Sequence, residues 1–465
     1  MLLFGDDPAA YFAGESYKAH HIPRAEIEQL QLSVAAARFD TLAKRIAPLQ
    51  ALSESQGIET IEKLSDLAKL LFPQSFYKSF DHGLLERSDF EGLAAWLQRL
   101  TVRPLSVLKG RQIATLDEFF ALLERECGVR LVHSSGTTGR LSLFPRGSAD
   151  WAAHLRNTRA LIPSWTGREE DAYGPPPFAV CWCGFSGGHS AILGAADLFR
   201  YCFARSPEQF FATTPGRLSV DWHWFMLQLD RARRLNAPQP PVTDYVLARL
   251  DEMEAGREQL DQSLDRMVEV LHSQIRGQRI VIGGPPMLVH QLAAHALAKG
   301  VEGVCGPGSA LLTFGGTKNQ GPVNELELAL ARFSGGAQYL DSYGMTEMLG
   351  PAGACEHGNY HLLFTHVPFL FDLDSGALLP RKGRQTGRFG VFDCMAQGNW
   401  GGVVSADKVT IDWNTCECGR ETPTIVSSIA RCPDTDDALP PYAADPAAVE
   451  AALEALGGGT ATAQV

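Results

Sequence analysis

Apolar residues recur at helical spacing early in the chain and give way to short apolar runs further on. Ile27, Leu30, Val34, Phe39, Leu42 and Ile46 line up as one buried helix face over residues 24–46. The stretch 85–126 reads as helical too, with a break near Pro104, because proline lacks the N–H donor and clashes with the preceding turn. Residues 1–128 therefore read as a helical flank, and no chemistry is legible in them.

From about residue 130 the pattern changes. Leu131-Val132-His133 runs into a Ser/Thr/Gly turn, and Phe178–Trp182 runs into Gly184-Phe185-Ser186-Gly187-Gly188. Residues 246–272 predict a long amphipathic helix with Leu250, Leu260, Leu264, Met267 and Leu271 on its apolar side. Arg279–Ile282 predicts a strand ending at Gly283-Gly284-Pro285-Pro286, followed by a helix to about Lys299. Leu311–Phe314 predicts another, ending at Gly315-Gly316, and helix 325–333 leads into strand Gln338–Leu340.

Strands alternating with helices predict an α/β fold, a mostly parallel sheet flanked by helices. Ligands in such sheets bind beyond the carboxyl ends of the strands, where each glycine-rich turn is expected. Residues 360–430 are richer in strand-like runs and predict a smaller β-rich subdomain. The expected division is a helical flank at 1–128, an α/β core at 129–350, a β-rich subdomain at 351–432 and a short, partly mobile tail at 433–465. A short helix is expected in that tail at 447–456.

Composition narrows the function classes. A length of 465 residues exceeds one small core, and 45% hydrophobic with 20% charged residues is ordinary for a globular protein. The net charge of −12 argues against nucleic acid or an anionic membrane as the main partner. No apolar run approaches the roughly 20 residues that span a bilayer. The start is apolar only through Phe4 and then acidic at Asp6-Asp7, unlike a signal peptide, so the expected location is the cytoplasm. Ten cysteines include Cys181, Cys183, Cys416 and Cys418. In that compartment they read as core thiols, a metal site or a reactive thiol in preference to a disulfide framework.

The strongest local signal is Ser134-Ser135-Gly136-Thr137-Thr138-Gly139, after a strand. Glycines let backbone N–H groups approach a polyphosphate, and the hydroxyls add donors. The Gly-Lys-Ser/Thr ending of a Walker loop is missing. About 200 residues on, Asp341-Ser342-Tyr343-Gly344-Met345-Thr346-Glu347 follows a second short strand. An aromatic ring can stack on adenine, a threonine hydroxyl can donate to a phosphate, and a carboxylate can hold Mg²⁺.

Together these segments resemble the phosphate loop and the Tyr-Gly-x-Thr-Glu motif of the adenylate-forming superfamily, which includes acyl- and aryl-CoA ligases, peptide-synthetase adenylation domains and luciferases. Leu141-Ser142 stands where that loop usually continues with Pro-Lys. Phenylacetate–CoA ligases and acyl-protein synthetases also lack this lysine, so the resemblance points to their branch. It implies that residues 129–350 bind nucleotide and acyl group. Ser134–Gly139, Tyr343, Gly344 and Met345 would bind ATP, while Thr346 and Glu347 would act at the reacting phosphate with Mg²⁺ on Glu347.

The same resemblance extends to weaker positions. Gly315-Gly316-Thr317-Lys318 is similar to the turn that wraps adenine, and Gly187-Gly188-His189 to the turn closing the acyl pocket, with His189 at the carboxylate. Trp182 and Phe185 are pocket walls or plain core. Asp407 in Ser405-Ala406-Asp407 stands where the family grips ribose, and Arg431 resembles the arginine before the interdomain hinge. Cys416-Glu417-Cys418-Gly419-Arg420 resembles the cysteine knuckle of phenylacetate–CoA ligases. With upstream Cys355 and His361 it makes a four-ligand set for structural Zn²⁺, His357 being the rival nitrogen ligand.

One departure shapes the functional expectation. Only residues 432–465 follow Arg431, and they hold no lysine, so the family's mobile C-terminal domain is expected to be absent or vestigial. Lys318 and Lys408 are candidate replacement cations, and Cys432 loosely matches the acyl-carrying cysteine of the luminescence relatives. The leading expectation is ATP-dependent activation of a carboxylic acid to an acyl-adenylate, with transfer to a protein thiol or other nucleophile, on this chain or on a partner protein. The alternatives are an aryl- or acyl-CoA ligase using CoA, and a non-catalytic acid- or nucleotide-binding member of a biosynthetic complex.

Overall fold

The computed structural model describes residues 3–134, 141–240, 242, 246–247, 260–314, 323–426, 429–432 and 446–457. Two compact units emerge: Met1–Asn157 with Thr346–Val465, and Thr158–Met345.

In the first unit, after two short helical segments at Pro8–Tyr11 and Ser16–His21, come α1 (Arg24–Leu42), whose Ile27, Val34, Ala35, Phe39 and Leu42 are buried, and α2 (Ala47–Gln56). A short strand, Phe72–Pro73, leads into a 3₁₀ turn at Gln74–Lys78. Between Gly83 and Cys127 the expected helical stretch breaks into short helices and α3 (Leu116–Cys127). Thr115 caps α3 by accepting from Glu118 N at 3.1 Å, and Gly128 ends it at φ +61°, where a side chain would be strained.

Strands β1 (Val129–His133) and β2 (Leu143–Gly147) then pair antiparallel, from Val129 opposite Gly147 to His133 opposite Leu143. The expectation of a parallel-sheet strand at 131–133 is therefore corrected. Ser134 and Ser142 flank the connection between the two strands of this hairpin. Ser134 N donates to Ser142 O and Ser142 N to Ser134 Oγ, both at 3.1 Å, which closes the stem.

The second unit is a five-stranded parallel sheet. Its strands are β3 (Ala179–Gly187), β4 (Phe210–Arg217), β5 (Ile280–Gly284), β6 (Ala310–Phe314) and β7 (Gln338–Tyr343), in the order β4-β3-β5-β6-β7. The helices between them are α4 (Ala191–Cys202), α5 (Val220–Leu235), α6 (Leu260–Glu269), α7 (Pro286–Ala298) and α8 (Val323–Ser334). Alternation along the strands splits the core. Ala179, Cys181, Cys183, Ile280, Ile282 and Leu311 meet Leu264, Met267, Val289, Leu292 and Phe333 on one face. Trp182, wholly buried, packs on Phe199 and Phe314 at ring separations of 5.0 and 5.8 Å. Trp182 is thus core, and Cys181 and Cys183 are core thiols, the Cys183 thiol pushed up to about 12 by burial.

Two glycine readings change. The turn expected at Gly184 is a continuation of β3 with register shifts at Trp182/Phe185 and Phe185/Gly187. Gly184 sits at φ +142°, and the polar groups of the bulge are met by Gly184 N to Thr213 Oγ1 and Trp182 Nε1 to Phe185 O, both at 2.8 Å. Gly283 is required by packing, since a Cβ there would lie 1.9 Å from the Phe199 ring. Of the long helix expected at 246–272, the described residues give helical Val246–Leu247, α6 and a π turn at Val270–Gln274, while Leu250 lies outside them.

The chain returns to the first unit with β8 (Ala352–Ala354), β9 (Tyr360–His361), β10 (His366–Phe371), β11 (Arg384–Asp393), β12 (Gly402–Asp412), β13 (Thr424–Ile425) and β14 (Ala430–Arg431). These pair antiparallel, with β12 contacting β11, β13 and β14, while Phe72–Pro73 adds to it in parallel. Phe369, Phe389, Phe392, Trp400 and Ile411 are all buried. The expected tail helix appears as α9 (Pro446–Leu456), and it packs on α2.

Candidate active site

The Thr346–Gly350 turn lies among buried groups of the first unit. Glu347 is 4% exposed. Gln74 Nε2, from the 3₁₀ turn, donates to Glu347 Oε1 at 2.5 Å. Burial pushes the Glu347 carboxyl above its ordinary range, the Gln74 hydrogen bond opposes that, and the charge of Asp407 adds to it. On β2, Arg146 donates through Nη2 to Thr346 O at 2.8 Å, and its Nη1 lies 4.0 Å from Asp393 Oδ2. Asp393 in turn accepts from Leu349 N at 2.8 Å and from Met395 N at 2.9 Å. The ring of Phe144, also on β2, stacks on Tyr77 at 4.1 Å. The hairpin that bears the Ser134–Gly139 turn is thereby packed against the elements that hold Glu347.

Asp407 is buried on β12 opposite Arg431 on β14, and the pair is ion-paired at 3.3 Å. Cys432 N donates to Ala406 O at 2.9 Å, and burial pushes the Cys432 thiol up.

A second cluster is made by the β8–β9 connection, the end of β9 and the β12–β13 connection. Ligand atoms of Cys355, His361, Cys416 and Cys418 all lie within 4.8 Å of one another. Cys355 and Cys416 sulfurs are 4.0 Å apart, and Cys418 Sγ is 3.2 Å from His361 Nε2. For comparison, tetrahedral ligands about 2.3 Å from zinc stand about 3.8 Å apart. Asn359 Nδ2 donates to Cys416 Sγ at 3.4 Å. His361 Nδ1 is 3.3 Å from Thr422 Oγ1, which also meets His20 Nδ1 at 3.0 Å. Burial, with Arg420 nearby, pushes the His361 imidazole down to about 3, so it stays neutral and keeps a lone pair for a metal. The rival ligand His357 turns instead to Glu417 at 3.4 Å.

No protein-family profile and no curated protein sequence matches the chain. Solved structures do. An open conformation of 2-hydroxyisobutyryl-CoA ligase in complex with 2-HIB-AMP and CoA superposes with a TM-score of 0.52 at 16% identity, over 90% of this chain and 77% of that one. The postadenylation state of that ligase with 2-HIB-AMP gives 0.52 at 17% identity, over 90% and 70%. The chain shares its overall fold with that CoA ligase.

Within this fold the nucleotide- and acid-site residues expected from the sequence fall into three groups. Thr346, Glu347, Asp407 and Arg431 lie in the first unit, and there Glu347 and Asp407 are close enough for their charges to interact. Tyr343 ends β7 in the second unit, and His189 there is half-buried just before Ser190, which caps α4 by accepting from Leu193 N at 3.3 Å. Ser135–Gly139 and Gly315–Thr317, with Lys318, lie outside the described residues. Sequence reasoning missed Gln74, Arg146 and Asp393. The last two carried a usable signal, being charged residues inside the apolar runs Leu143–Gly147 and Phe389–Asp393. Gln74 carried none.

Proposed function

We propose that this protein activates a carboxylic acid with ATP as an acyl-adenylate and passes the acyl group to a thiol. The observation that carries the reading is Glu347: a buried carboxylate in the Thr346–Glu347 turn, gripped by Gln74 and packed against the hairpin of the Ser/Thr/Gly turn. A buried carboxylate is costly unless a cation or hydrogen bonds meet it, which fits a Mg²⁺ ligand. Magnesium held there would neutralise phosphate charge as the acid's oxygen attacks the α-phosphorus and pyrophosphate leaves. Thr346 would donate to that phosphate, Ser134–Gly139 would cradle the others, and Tyr343, Gly344, Met345 and Gly315–Thr317 would take the adenine. Asp407 would accept the ribose hydroxyls beside Arg431, and His189 would face the acid.

Two acceptors remain in play. The raised thiol of Cys432 is a poor nucleophile at neutral pH. A ligase of this fold has been captured with CoA, which supports CoA as acceptor over a thiol on this chain; a partner protein's thiol is the other. The knuckle of Cys355, His361, Cys416 and Cys418 would hold one structural zinc, since four protein ligands leave no open position for chemistry.

Acid-dependent ATP–pyrophosphate exchange, screened over fatty, aryl and amino acids, tests the reading. Exchange with one class of acid is expected, and none with any class overturns it. Added CoA then separates a free thioester from a labelled protein.

A further inference from the structure

The Thr346–Gly350 turn is held from three directions by side chains that take no part in the roles above. Gln74 holds the Glu347 carboxylate at 2.5 Å, Arg146 holds the Thr346 carbonyl at 2.8 Å, and Asp393 holds the Leu349 amide at 2.8 Å. His366 Nε2 adds a contact to the Leu349 carbonyl at 3.2 Å. Arg146, Asp393 and His366 are 2%, 0% and 1% exposed. Burying an arginine with an aspartate gains little stability over an apolar pair of the same volume, because both ions lose their water. What the pair does achieve here is geometric: it fixes one carbonyl and one amide on either side of Glu347. Gly350, at φ +97°, lets the chain leave the turn beneath Leu363.

We propose that Gln74 and the buried Arg146–Asp393 pair are positioning residues that fix the Glu347 carboxylate in advance for a magnesium–nucleotide; this rests on the ligase reading above. A carboxylate already locked in place needs no reordering when the metal arrives, whereas one free to rotate must be ordered at that moment. Arg146 acts through the backbone of Thr346, and Gln74 through the carboxylate itself. Neither would touch substrate.

The test compares the wild-type chain with Gln74→Leu, a half-buried position where similar shape preserves packing, and with Arg146→Lys. Two quantities are read: half-saturating Mg²⁺ in the exchange reaction, and Mn²⁺ bound in the presence of α,β-methylene-ATP by EPR. Gln74→Leu is expected to weaken metal binding about tenfold, as loss of a group orienting a metal ligand does, with half-saturating acid unchanged. Arg146→Lys, which keeps charge and one donor, is expected to lose less. Wild-type metal dependence in both variants, with folded protein, overturns the proposal alone. A wild-type chain that neither exchanges pyrophosphate nor binds Mn²⁺ with the analogue overturns the ligase reading and the proposal together.

Discussion

The thiol knuckle and the Glu347 turn belong to the same unit but are assembled in opposite ways. The knuckle is made of two local pairs, Cys355 with His361 and Cys416 with Cys418, and one long-range meeting brings the pairs together. The Glu347 turn draws on Gln74, Arg146 and Asp393, each from a different part of the chain. Structural zinc sites typically take ligands in closely spaced pairs, because one turn can present two of them. A positioned carboxylate needs only neighbours in space. The first kind of site leaves a trace in sequence, and the second leaves almost none.

The two assemblies should fail independently. Replacing Glu347 with Ala is expected to lower acid-dependent exchange by about 10²–10³-fold, the cost of one charge-stabilising group in a reaction centre, while metal analysis still finds about one zinc per chain. Exchange at wild-type rate would remove the metal role from Glu347. Arg146→Met leaves Asp393 buried without its cation. Stability in urea is expected to fall by about 3–5 kcal/mol, and a change under 1 kcal/mol would show that the pair, 4.0 Å apart, is not coupled. Next comes Thr422→Val, which removes the hydroxyl shared by His20 and His361. Zinc affinity, measured by competition with a chelator, should drop about 10–100-fold without altering the Mg²⁺ dependence of exchange. Unchanged affinity would mean that Thr422 does not orient the imidazole.

A substitution in the second unit serves as a control on both assemblies. Gly283→Ala drives a methyl into the Phe199 ring. A loss of about 1–3 kcal/mol is expected from overpacking, read by denaturation, with zinc content unchanged. A neutral substitution would mean that Phe199 moves aside at little cost.

The second unit was the more legible. Runs such as Ile280–Ile282 and Leu311–Phe314, each followed by a helical pattern, led to a parallel sheet because burial on both faces leaves continuous apolar strands. The same logic misplaced Leu131–His133. Five buried residues in a row fit a parallel strand and a covered hairpin equally well, and only pairing with Leu143–Gly147 decides between them. Residues 1–128 looked devoid of chemistry because Gln74 is a lone polar residue near buried neighbours, with nothing nearby in sequence to mark it.

Sequence alone determined the alternating layers of the second unit, the two hydroxyl- and carboxylate-bearing segments and the Cys355/His361 and Cys416/Cys418 pairs. These are local patterns of burial, backbone freedom and ligand spacing, and they act over a few residues. The tertiary structure alone decided that His361 and not His357 faces the thiols, that Trp182 is core, and that Gln74, Arg146 and Asp393 close around Glu347. Contacts over such distances along the chain are set by how whole elements pack, a property that no single segment encodes.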